Sequence, residues 1–134
     1  MKKLIPEKFA AYGILSILSL IIIFHTLILV RAVPFEIVWG GRLETVSQMI
    51  FFEAVSIGIN LLMIAVVLFQ SGMTRFKINQ LYGKICLWLM FALFLLNTLG
   101  NLLSQNEMET LIFTPLTFIL AILSLRMALA DRLS

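Results

Sequence analysis

The residue with the most chemistry to offer is Glu53, a carboxylate set inside the apolar run at about 49–69. An ionisable group near the centre of a membrane helix costs at least ~2.5 kcal/mol on insertion scales, so it must face protein or water and needs a partner, a proton or a function. Ser56 and Asn60 follow Glu53 at spacings of three and then four, which puts all three on one helical stripe. Asn97, Asn101 and Ser104 repeat that spacing in a later run, and Thr114, Thr117, Ala121, Ser124 and Ala128 make a seam of small residues in the last. Tyr12, Ser16, Ser19 and Thr26 form a comparable line in the first. Four such stripes facing a common axis are what a closely packed left-handed membrane bundle needs, because small residues let helices approach and polar ones bond across.

His25 is the single histidine and lies at a depth similar to that of Glu53. At ~100° per residue it stands roughly 180° from Ser16, so it cannot share an inward stripe with that residue. Either the first helix turns His25 toward the second, where it can bond Glu53, or His25 faces lipid or another subunit. A Glu–His pair within ~3 Å exchanges a proton, which is useful for transport or for an enzyme acting on a lipid-like substrate. One histidine without a carboxylate cluster is a poor zinc site, which takes three or four protein ligands. No metal and no cofactor is expected.

These residues must be positioned by membrane-spanning helices. Of 134 residues, 61% are hydrophobic and 13% charged, against roughly a quarter charged in soluble domains. A water-soluble fold is thereby disfavoured, and nucleic acid is not an expected partner of the +3 net charge. Stretches of roughly 20 apolar residues mark spans at about 10–30, 49–69, 85–103 and 111–130. The expected fold is a single all-α domain over 1–134, a four-transmembrane-helix bundle. The first span follows two lysines, but its apolar stretch is too long for a signal peptide and ends without a small-residue cleavage site, so it is expected to be retained. Cys86 is the only cysteine and is expected to be a small buried hydrophobe.

Lys2, Lys3, Lys8, Arg75, Lys77, Lys84, Arg126 and Arg132 flank one side of these spans and only Arg31 and Arg42 the other. That bias predicts both termini and the loop at about 70–84 in the cytoplasm, with loops at about 31–48 and 104–110 outside. The expected location is a bacterial cytoplasmic membrane. Thr45 and Gln48 have capping-box spacing at the start of the second helix, and Gly72 suits its end. Asn106 is expected to cap the fourth helix, with Glu107 and Glu109 in a first turn whose dipole favours anions. Arg126 is expected to snorkel to the headgroups.

On this orientation Glu53, Ser56, Asn97, Asn101, Thr114 and Thr117 lie in the external half and Asn60 near the middle. The expectation is a polar pocket open or openable to the exterior, roofed by the loop at about 31–48, whose Trp39 suits the interface and whose Arg42 reaches down toward negative charge. Its ligand-binding set is Glu53, Ser56, Asn60, Asn97, Asn101, His25, Thr114, Thr117 and Arg42. Three functions compete: transport of a proton, cation or small solute by a homodimer, an accessory or lipid-binding subunit docked on another membrane protein, and a membrane-embedded enzyme using Glu53 and His25. Membrane lipids are partners in every case. In size and helix count the chain resembles the small multidrug resistance transporters and the fluoride channels of bacteria. The resemblance ends there: Glu53 is on the second helix rather than the first, the glycine-rich and arginine signature of the channels is missing, and the charge bias opposes a dual topology. No residue role is carried over from either.

Overall fold

The computed structural model describes residues 3–35, 43–104 and 107–130. It contains α1 (Glu7–Leu29), α2 (Val46–Ser71), α3 (Gln80–Leu102) and α4 (Thr114–Ala128), the last entered through a π-helical turn at Glu109–Phe113. Taking Glu109–Ala128 as one run, all four are long and apolar enough to cross a membrane. The 23 residues of α1 extend roughly 34 Å, enough for a hydrocarbon core of about 30 Å. Large apolar side chains such as Leu20, Leu62, Leu89 and Leu96 point outward, as lipid rather than water would require.

The ends of the helices follow local chemistry. Thr45 Oγ1 accepts from the Gln48 amide at 3.1 Å while the Gln48 side chain accepts from the Thr45 amide, so the capping box forms. Gly72 ends α2 in the left-handed conformation, at φ 77°. α1 ends in a Schellman motif, with the Ala32 amide on the Leu27 carbonyl at 2.8 Å and the Arg31 amide on that of Ile28 at 3.0 Å. Arg31 holds the left-handed position there, at φ 64°. The π turn stands just before Pro115, which has no N–H and whose ring would meet the Leu111 carbonyl in a regular helix. The Thr114 amide reaches back five residues to Glu109, which widens the turn and removes the conflict.

α1 packs on α2 and α4, and α3 on α4, while α2 and α3 meet over a smaller area. The N-terminal segment touches the last turn of α4 through Ile5 and Arg126, the end of α2 meets the start of α3 at Gln70 and Gly83, and the end of α1 meets the start of α2 at His25 and Glu53. The helices therefore run up and down, with a terminal end and an opposite end carrying the α1–α2 connection. Buried positions on α2 recur as Met49, Glu53, Ser56, Asn60, Met63, Val67 and Gln70. That alternation of four and three is a coiled-coil seam. α4 is the most enclosed span, with 44% of its apolar window buried against 17% for α1.

One main core fills the bundle around Ile14, Leu18, Val67, Leu87, Leu120 and Met127. A second, smaller cluster of Ile28, Leu43 and Met49, with Phe24, Val33 and Phe113 against it, closes the end carrying the α1–α2 connection. Trp39, the Gly40–Gly41 pair and the Asn106 cap lie outside the described residues, as does Arg132.

The α2–α3 contact depends on a missing side chain. A Cβ on Gly83 would stand 1.7 Å from Gln70 Nε2 and 2.2 Å from its Cδ. Gly83→Ala must push the buried Gln70 amide aside. It is expected to lower thermal stability in detergent by about 1 kcal/mol, the low end for overpacking, because the displaced atoms end a flexible side chain. Adding Gln70→Ala should recover most of that loss, and a Gly83→Ala chain as stable as the parent would disprove the close fit.

Candidate functional site

Glu53 is 0% exposed, and its only route out of hydrocarbon is through its neighbours. His25 supplies one: its Nδ1 is hydrogen-bonded to Glu53 Oε2 across the α1–α2 interface. The His25 side chain keeps 17% of its surface. The contact gives the enclosed carboxylate a hydrogen-bond partner from a second helix, which a low-dielectric interior requires of a buried polar group.

The face of α1 that makes this contact is the apolar one. Ala11, Ile14, Leu18 and Ile28 are buried at spacings of three, four and ten, and His25 falls on the same line, seven residues after Leu18 and three before Ile28. The polar line of Tyr12, Ser16, Ser19 and Thr26 is exposed, contrary to the inward placement expected of it. Local bonding explains this: the Ser19 hydroxyl donates to the Leu15 carbonyl at 2.7 Å and that of Thr26 to Ile22 at 2.8 Å. A hydroxyl satisfied by its own helix can face lipid without an orphaned donor.

On α2 the stripe faces inward, with Ser56 and Asn60 buried below Glu53. The Asn60 amide donates to the Ser56 carbonyl at 2.7 Å, a bond within its own helix. Between α3 and α4 a separate hydroxyl cluster forms. Thr98 Oγ1 lies 2.9 Å from Thr117 Oγ1, and Asn101 Nδ2 donates to the same Thr117 oxygen at 3.4 Å. Thr114 Oγ1 is buried with no hydrogen-bond partner. Thr114 and Thr98 also line an apolar surface groove of about 500 Å³, with Leu95, Leu99, Leu102 and Phe118.

Asn97 is not part of either cluster: it is exposed, and Thr98 takes the inward position. The buried line Gly83, Leu87, Met90, Phe94 can continue by three to Asn97 or by four to Thr98, and α3 takes the second step. Arg42 lies outside the described residues. Where a polar pocket open or openable to the exterior is expected, the described residues form a closed arrangement. Met49 and Ile28 stand one turn beyond Glu53 and His25, and with Leu43 they cover the pair with hydrocarbon. Neither of two surface hollows, one on α3–α4 and one lined by Ser104, Glu107, Thr110 and Leu111, includes Glu53 or His25.

A second buried carboxylate escaped sequence reasoning. Glu109, expected only to complement a helix dipole, is buried in the π turn and hydrogen-bonded by Ser104 Oγ. Thr110 Oγ1 donates to the Asn101 carbonyl at 2.9 Å beside it, closing the end of α3. The proline six residues after Glu109 was the available signal, because it calls for a distorted turn there. Among the described residues no group of three or more His, Cys, Asp and Glu side chains could hold a metal ion.

No protein family model matches this chain. Neither a curated protein nor a solved structure matches it. The site must therefore be interpreted from its own geometry.

Removing one partner of a buried pair strands the other, which typically costs about 3–5 kcal/mol, whereas replacing both with apolar residues is often neutral. His25→Leu is accordingly expected to destabilise the bundle, and Glu53→Leu with His25→Leu to restore it. Thermal unfolding in detergent of the two single variants and the double variant checks this, and additive losses would show that the two residues are not coupled.

Proposed function

We propose that this chain is a small membrane transport protein whose Glu53–His25 pair takes up and releases a proton or a small cation. The observation that carries this reading is the complete enclosure of Glu53, hydrogen-bonded to a histidine from a different helix. A cation arriving at the pair, or a proton leaving it, changes the charge held between α1 and α2. Unpaired charge is costly there, so occupancy biases the packing of the two helices.

The charge bias of the flanks supports a position for the pair in the external half of the bilayer. The cluster of Ile28, Leu43 and Met49 then works as the outer gate, because it must part before water or a cation reaches Glu53. Ser56 and Asn60 extend the polar face of α2 toward the membrane midplane, where carriers hold their coupling ions. Four helices are few for one alternating-access unit, and a homodimer is the expected working form. The contact also meets the distance requirement for a proton-relaying enzyme on an apolar substrate, which is the second reading.

Purified chain reconstituted in vesicles with an internal pH dye separates the two. An imposed cation or proton gradient should drive a flux in the unaltered protein, and Glu53→Gln should reduce it to the level of protein-free vesicles. Flux that survives Glu53→Gln removes Glu53 from the mechanism. Met49→Ala, which thins the gate, is expected to raise the leak while leaving the response to Glu53→Gln intact.

A further inference from the structure

Arg126 was expected to snorkel, yet it is 7% exposed and sits in the last turn of the most enclosed helix. Its Nε donates to the Ile5 carbonyl at 2.6 Å. Its Nη1 is buried with no hydrogen-bond partner, and no acidic side chain is paired with it among the described residues. A guanidinium does not give up its proton, so this charge persists in the fold. A single neutral carbonyl cannot replace the water that such a group has lost.

We propose that the terminal end of the bundle holds a binding site for a phosphate-bearing anion, with Arg126 as its main ligand and residues 3–6 as its cover. The cover precedes α1 and is joined to it at Pro6, whose carbonyl accepts from the Ala10 amide at 3.0 Å. Ile5 packs its side chain on the core and lends its carbonyl to Arg126. A shift of this segment uncovers the remaining donors of the guanidinium. Lys3 and Lys8, both exposed, flank Ile5 in the chain and, with Glu7 beside Lys8, leave this stretch net positive. The planar donor fork of arginine suits the oxygens of a phosphate group, and the two lysines favour a ligand carrying full negative charge. A phospholipid headgroup and free phosphate share this chemistry. The site lies on α4 and the N-terminal segment, away from Glu53 and His25, and does not depend on the transport reading.

The test uses the full chain purified in detergent. It is mixed with vesicles of phosphatidylglycerol, vesicles of phosphatidylcholine or inorganic phosphate, followed by native mass spectrometry and thermal unfolding. One phosphatidylglycerol is expected to stay with each chain and phosphatidylcholine to be lost. Arg126→Gln should weaken retention about tenfold or more, as expected for a charged hydrogen bond, while Arg126→Lys should fall between. Lys77→Gln, which removes an exposed lysine from the α2–α3 loop, should retain the lipid normally. Retention without an effect of inorganic phosphate assigns the site to a headgroup, and stabilisation by phosphate without retention assigns it to the free anion. Should the unaltered chain respond to neither, or should Arg126→Gln or Arg126→Lys hold phosphatidylglycerol as the parent does, the proposal is overturned. The responses of the unaltered chain and Arg126→Lys decide the matter even if Arg126→Gln does not fold.

Discussion

A carboxylate that loses all contact with water must be given something polar in exchange, and in this bundle His25 is part of that exchange for Glu53. Much of the architecture at that end follows from the requirement. α1 has to present the face carrying His25 to α2, so Ile14, Leu18 and Ile28 come inward with it. The hydroxyl-bearing face of α1 is then turned to the outside. It can be, because Ser19 and Thr26 bond back to carbonyls of their own helix.

The same contact determines what can sit above it. Met49 and Ile28 lie one turn further along α2 and α1, and Leu43 closes over them from the segment before α2. A polar pair beneath an apolar lid is kept from water by packing rather than by distance. The cluster is small and separate from the main core around Leu120 and Met127. The geometry thus sets a buried acid–base contact beneath a small apolar cluster.

The opposite end of the bundle solves its polar problem differently. Gln70 lies directly over Gly83, in the space a side chain there would take, so α2 and α3 approach closely. Arg126 reaches the Ile5 carbonyl and leaves one terminal nitrogen buried without a partner. At the end that carries Glu53, Thr98, Thr117 and Asn101 join α3 to α4 by hydroxyl and amide bonds of the kind that hold membrane helices together. Polar groups therefore gather at both ends of the bundle, and Glu53 and His25 bring an acid and a base into direct contact.

Hydropathy, which measures the cost of each segment in lipid, was enough to predict four spans, and each overlaps its observed helix with boundaries shifted by a few residues. Capping chemistry is equally local, and the Thr45–Gln48 box and Gly72 were legible for that reason. So was the α2 stripe, since Glu53 admits no outward placement. Rotation of the other helices was not legible. Hydroxyls can satisfy themselves within one helix, so the polar line of α1 carried no information about direction, and steps of three and four were equally open to α3 at Phe94. Tertiary packing chose between them: the partner for Glu53 set the face of α1, and the fit against Thr117 set Thr98 inward in place of Asn97. Burial of Arg126 and Glu109 likewise depends on which segments come together, a property of the assembled bundle that no single helix encodes.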